Sequence, residues 1–90
     1  MKKTWDFLDD LKAALGIESD YALSRALTVH KQQISKWRTG SSTFDDSTAI
    51  RVAQIIKTDY RYVIACMHLQ RASTPETKSA WQEIARTFAP

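Results

Sequence analysis

The sequence predicts an all-α fold in which five helices form a compact bundle and a sixth helix follows at the C-terminal end. Apolar residues recur at steps of three and four, which is the spacing of one helix face. The 90 residues include two glycines and two prolines, so few residues favour turns. No segment alternates apolar and polar residues for long enough to predict a sheet.

The first predicted helix extends from Trp5 to Leu15. Thr4 precedes it as the expected capping residue, and Gly16 follows it as the expected stop. A second, short helix is predicted over residues 20–27, with Ser19 as its cap. A third short helix is predicted from residue 31 to 38 or 39, and Gly40 ends it.

Capping residues also mark the starts of the last three predicted helices. Asp45 or Asp46 caps the fourth helix, which extends to residue 56, and Asp59 caps the fifth, which extends as far as residue 72. Thr74 and Pro75 form a cap followed by a proline at the first helical position, which is a strong start for the sixth helix.

Composition narrows the classes of function. The formal net charge of +3 and the pI of about 9.2 are compatible with a polyanionic partner. The single cysteine, Cys66, allows no internal disulfide or zinc cluster and favours a reducing, cytoplasmic location. No apolar run is long enough for a membrane span, and no catalytic triad, phosphate-binding glycine loop or metal-ligand spacing is present. We therefore expect no enzyme, cofactor, metal, membrane partner or small-molecule ligand.

Residues 23–40 carry the most informative pattern. A protein that enters the DNA major groove needs a short helix that is apolar behind and polar in front, and a second helix that braces it. Leu23 and Leu27 supply the brace, Val29 fills the turn, and Ile34 and Trp37 form the apolar back of the second helix. Between residues 21 and 44 the sequence has no acidic residue, although it has four arginines and lysines. This segment predicts a double-stranded DNA partner.

The same residues resemble the helix-turn-helix of the Cro and lambda-repressor superfamily. The matching positions, without gaps, are Leu23, Leu27, Val29, Ile34, Ser35, Trp37 and Gly40. The segments 44–50 and 60–66 are similar to a narrower group of short phage regulators, the repressors of filamentous phages and their prophages.

The resemblance implies a lambda-repressor-like bundle and a transcriptional regulator. Residues 1–72 would form the DNA-binding domain, and residues 73–90 would belong to the same domain or form a dimerisation element. The implied mechanism is repression: a homodimer binds a palindromic operator and blocks the promoter. Two alternatives stay open, namely an antitoxin that also binds a toxin and a protein-interaction module that does not bind DNA.

The resemblance also implies which residues contact DNA. Lys31, Gln32 and Lys36 would face the base edges with Ser35 beside them, Ser19 would contact phosphate, and residues 40–43 would follow the DNA backbone. The full expected set of DNA-binding residues is Ser19, Arg25, His30, Lys31, Gln32, Gln33, Ser35, Lys36, Arg38, Ser41, Ser42 and Thr43.

Three residues depart from the family pattern. Thr28 stands where the family has a glycine in a left-handed turn, so the turn is expected to be rebuilt or strained. Asp20 replaces a glutamine that contacts DNA, and its carboxylate would be repelled by phosphate. His30 replaces the usual Ser or Thr cap and could make DNA affinity depend on pH.

The dimer contact is expected on the C-terminal helix. Trp81, Ile84 and Phe88 form an apolar stripe at helical spacing, which indicates either a dimer interface or packing within the chain. The alternative interface residues are Tyr60, Tyr62, Val63 and Met67.

Overall fold

A computed structural model of the chain describes all 90 residues and contains six helices and no strand. The helices are α1 (Thr4–Leu15), α2 (Asp20–Leu27), α3 (Lys31–Thr39), α4 (Asp46–Ile56), α5 (Tyr60–Arg71) and α6 (Pro75–Phe88). The Cα radius of gyration is 12.8 Å, close to the roughly 12 Å of a compact domain of this length. The all-α prediction is confirmed.

Short polar side chains cap four of the helices as predicted, and one of them is Asp59, which accepts a hydrogen bond from the backbone N–H of Arg61 at 2.9 Å at the start of α5. Ser19 accepts a hydrogen bond from the backbone N–H of Ala22 at 3.0 Å, and Asp45 accepts one from Thr48 at 2.8 Å. Thr74 caps α6 in the same way. Each of these caps satisfies an N–H group that would otherwise have no partner in the first turn of its helix.

The start of α1 differs from the prediction. Thr4 is the first residue of the helix rather than its cap, and Lys3 occupies the capping position. The Thr4 side chain is fully buried and donates a hydrogen bond to the Gln70 side-chain carbonyl at 2.8 Å. Its backbone N–H donates to the same oxygen at 2.9 Å. Thr4 therefore attaches α1 to α5, a role that the capping pattern does not reveal.

One apolar core joins all six helices. Helix α5 contributes Val63, Cys66 and Met67, none of which is exposed, and α6 contributes Ala85. Helix α6 packs against α5 more extensively than any other two helices pack together. No helix combines the length and the apolar character needed to cross a bilayer.

Candidate nucleic-acid interface

Helices α2 and α3 form a two-helix unit whose inner faces are buried. Leu23 and Leu27 of α2 are at most 3% exposed, and Ile34 and Trp37 of α3 are at most 4% exposed. The Trp37 ring meets the edge of Phe44, with ring centroids 4.9 Å apart. These contacts hold α3 by one side, as the sequence predicted, and leave the opposite side facing outward.

The turn between α2 and α3 keeps a left-handed residue although it has no glycine. Thr28 has φ 57° and ψ 48°, and its N–H donates to the carbonyl of Arg25 at 3.2 Å. The N–H of Val29 donates to the carbonyl of Ser24 at 3.0 Å. The sequence left open whether the turn is rebuilt or strained. The hydrogen bonds of a left-handed helix end are present, so Thr28 adopts a conformation that is unfavourable for a β-branched residue.

The outward side of α3 carries four side chains without an internal partner. Lys31, Gln32, Ser35 and Lys36 are all exposed, and their side chains form no hydrogen bond or ion pair within the chain. This surface, which we call the α3 outer face, therefore presents amide, hydroxyl and ammonium groups that are free to bind a ligand.

Gln33 lies beside this face but has a different environment. It is half-buried, and its side-chain amide donates to the hydroxyl of Ser42 at 3.1 Å. The backbone N–H groups of Ser41 and Ser42 donate to the carbonyl of Lys36 at 3.0 and 3.3 Å. Gln33 thus fixes the loop that follows α3.

The far end of the same loop is held by α5. The guanidinium of Arg71 donates to the hydroxyl of Thr43 and, at 3.2 Å, to the carbonyl of Phe44. Ser41 is exposed, and Ser42 and Thr43 are half-buried. The expected backbone-contact loop is consequently attached to α3 at one end and to α5 at the other, and the motif itself gave no sign of Arg71.

Arg38 points away from the α3 outer face. Its guanidinium forms a two-point ion pair with Asp20, with N–O distances of 2.8 and 3.2 Å. It also donates to Asp9 at 2.9 Å and to the carbonyl of Trp5 at 3.1 Å. The hydrogen bond from Arg38 holds the pKa of Asp20 below its ordinary value, and a 3.2 Å pair with Lys12 acts in the same direction. Arg38 is therefore engaged inside the chain, as Gln33 is, whereas the four side chains of the α3 outer face are not.

The remaining expected residues are Ser19 at the start of α2, Arg25 in the last turn of α2 and His30 at the start of α3. The hydroxyl of Ser19 is occupied as the α2 cap. His30 is exposed at the capping position of α3, where its side chain makes no capping hydrogen bond. Arg25 is exposed and donates to the hydroxyl of Tyr21 at 3.3 Å, with its guanidinium 5.9 Å from the ring centre.

Sequence reasoning did not include Tyr21 among the site residues. This side chain is 60% exposed, the highest value for any large apolar residue in the chain. It borders a cleft of about 300 Å³ between α2 and α3 that Lys31, Ser35 and Arg38 also line. In the sequence, Tyr21 lies one helical turn before Arg25 on a polar side of α2. This spacing places it beside an expected DNA-binding residue and could have identified it as part of the site.

Three of the four predicted interface residues of α5 have to be corrected. Val63 and Met67 have no exposed surface, and Tyr62 is 6% exposed. Burial raises the pKa of the Tyr62 hydroxyl to about 12. These three side chains belong to the core of one chain, so they cannot pack against a second copy while the fold is intact.

The other predicted interface residues are more accessible. Tyr60 is 50% exposed and Ile84 is 39% exposed. Trp81 is half-buried and stacks on His68 with centroids 4.3 Å apart, and Phe88 is half-buried beneath the guanidinium of Arg61 at 4.1 Å. The stripe on α6 is accordingly divided, because Trp81 and Phe88 pack within the chain and Ile84 faces outward.

No cluster of His, Cys, Asp or Glu side chains in the chain is arranged to hold a metal ion. Cys66 is buried, and its burial raises the pKa of its thiol.

Comparison with known proteins gives one partial match. The chain is 40% identical over 47 residues to a protein of Pseudoalteromonas phage PM2 described as "Uncharacterized protein Gp-c". The match covers 52% of this chain and 51% of that protein, so the chain spans about half the length of the relative that it matches. No protein-family model matches the sequence, and no solved structure matches the chain.

Proposed function

We propose that this chain is a sequence-specific regulator of transcription that binds double-stranded DNA through a helix-turn-helix of the Cro and lambda-repressor type. Helix α3 enters the major groove, and α2 lies across it. The wider fold is then a lambda-repressor-like bundle of five helices with α6 added. The partial similarity to a phage protein favours a repressor encoded by a phage or prophage that blocks a promoter.

The α3 outer face is the observation that carries this proposal. Gln32 has the amide geometry that pairs with the edge of adenine, and Lys31 and Lys36 can donate to guanine or phosphate. All three are exposed and have no partner within the chain. Since the nearby carboxylates of Asp9 and Asp20 are paired with Arg38, the positive charge of this surface is not cancelled by them.

Two copies of the chain would bind a palindromic operator. Operators of this kind place two recognition helices about 34–36 Å apart. The longest dimension of one chain is 38 Å, so two neighbouring copies can span that distance. Tyr60 and Ile84 are the accessible apolar side chains on α5 and α6 for a contact between copies.

Selection from a library of random duplexes tests the proposal directly. We expect enrichment of one palindromic site that binds two chains, as measured by sedimentation of the complex. Affinity for the enriched site should fall steeply as salt concentration rises, because lysines that neutralise phosphates release counterions.

Two glutamine variants identify the surface that recognises sequence. Gln32→Ala should reduce discrimination at one base position by about 1–3 kcal/mol. Gln54→Ala is the matched control, because Gln54 is also exposed and lies on α4. If both variants lose the same amount of base discrimination, sequence recognition does not depend on α3. Absence of any enriched duplex at low salt would refute DNA recognition and leave the protein-interaction alternative. The antitoxin alternative also binds DNA, so co-purification of a DNA-binding chain with a toxin would distinguish it from a simple repressor.

A further inference from the structure

The C-terminal end of α3 is attached to α1 and α2 at one point. Arg38 joins three acceptors that lie outside α3: Asp20 at the start of α2, and Asp9 and the Trp5 carbonyl on α1. We call these contacts the Arg38 junction. Few other polar contacts connect α3 to the first two helices, so the junction is well placed to fix how α3 lies against them.

A close approach of the backbone reinforces the junction. Gly40, which ends α3, lies against the ring of Trp5, and a Cβ atom at this position would be 2.9 Å from Trp5 Cζ3. The backbone carbonyl of the same tryptophan accepts from Arg38 at 3.1 Å. The end of α3 is therefore held to α1 by van der Waals contact and by a hydrogen bond.

The donors of Arg38 are nearly all in use. A guanidinium has five N–H donors, and four hydrogen bonds from Arg38 reach acceptors within the chain. A phosphate approaching Arg38 would also meet the carboxylates of Asp20 and Asp9. Contact with DNA would require these bonds to break and two carboxylates to lose their cation, which opposes such a contact.

We propose that Arg38 is a positioning residue for DNA recognition and not a DNA contact. Acting through Asp20, it sets the orientation of α3 so that Gln32 and Lys36 reach their base edges together. This inference rests on the proposed function and replaces the direct contact that the sequence pattern assigned to Arg38. The planar fork of arginine suits this role, since two parallel hydrogen bonds to one carboxylate fix direction as well as distance.

The salt dependence of DNA binding separates positioning from contact. Each neutralised phosphate contributes about 0.9 to the slope of log affinity against log salt concentration. Replacing Arg38 with methionine should leave this slope unchanged for the intact chain on the selected duplex. It should lower the ratio of specific to non-specific affinity by about tenfold, which is the size of one lost base contact.

Three further single variants and one double variant give the controls. Asp20→Asn should lower the same ratio, and the double variant with Arg38→Met should be no worse than the single variants, because both substitutions disrupt the same two-point ion pair. Arg38→Lys keeps the charge without the fork and should also lower the ratio, which allows the test to proceed if the methionine variant does not fold. Asp10→Asn breaks the exposed pair with Lys2 and should change neither measurement.

The outcomes distinguish the inference from the proposed function. A slope that falls by about 0.9 in Arg38→Met would identify Arg38 as a phosphate contact and overturn the inference. An unchanged specificity ratio in folded Arg38→Met or Arg38→Lys would also overturn it, while the proposed function would stand. Failure of the unaltered chain to select any duplex would overturn the proposed function and the inference with it.

Discussion

The turn between α2 and α3 offers a quantitative test of backbone strain. Thr28 adopts φ 57° and ψ 48° and is exposed, so replacing it with glycine removes little packing. A left-handed conformation costs a residue with a Cβ atom about 1–2 kcal/mol. Glycine avoids this cost, but its greater freedom in the unfolded chain lowers the free energy of unfolding by about 0.5–1 kcal/mol. Thr28→Gly should therefore raise the free energy of unfolding by about 0.5–1 kcal/mol.

Urea unfolding followed by helical circular dichroism measures this change. The expected gain corresponds to a rise in Tm of about 2–8 °C for a domain of this length. Thr28→Ala separates the two sources of strain, since alanine keeps the Cβ atom but removes the branch. Its gain should be smaller than that of glycine.

The control for helix propensity is Ala26→Gly, which places glycine at an exposed position inside α2, the helix that Thr28 follows. That variant should lose about 1 kcal/mol. If Thr28→Gly is as destabilised as Ala26→Gly, the turn carries no strain that glycine can relieve, and the argument from its left-handed conformation is refuted.

Three other predictions concern single residues. Gly40→Ala should lower the free energy of unfolding by at least about 1 kcal/mol in urea titrations, because Gly40 has φ +80° and an added Cβ would lie 2.9 Å from Trp5. Hydrogen bonds from Thr48 hold the pKa of Asp45 below its ordinary value of 3.8, so the stability that Asp45 contributes is complete above that pH and is lost as pH falls through the lowered pKa. Asp45→Ala should lower the free energy of unfolding by about 1 kcal/mol near neutral pH, and it should reduce the loss of stability that thermal unfolding measures as the pH is lowered. A loss of stability in acid as large as that of the unaltered chain would contradict this role. Cys66 should react with a thiol reagent far more slowly in the folded chain than in urea, because it is buried and its thiol pKa is raised; equal rates would contradict its burial.

The helices could be predicted because their ends are determined locally. Ser19, Asp45 and Asp59 cap helices that begin where the sequence predicted, and Gly40 ends α3 with a left-handed residue. These signals depend on neighbouring residues in the chain. Thr4 shows the limit, because its partner Gln70 lies 66 positions away and its burial depends on how α1 packs on α5.

The α3 residues show why the site was only partly predictable. Helical geometry of 3.6 residues per turn places Gln32 nearly opposite the buried pair Ile34 and Trp37, whereas Gln33 and Arg38 each lie only about 70° from the centre of that pair. A long polar side chain at such a flank can reach past the buried stripe to a neighbouring segment, as Gln33 and Arg38 do. The expected contact residues of α3 therefore form two groups: those of the α3 outer face have no partner within the chain, and the two flanking residues hold the helix in place. The angle from the buried stripe could have separated the two groups from sequence alone, but their partners, 9 and 18 residues away, are set by the tertiary fold.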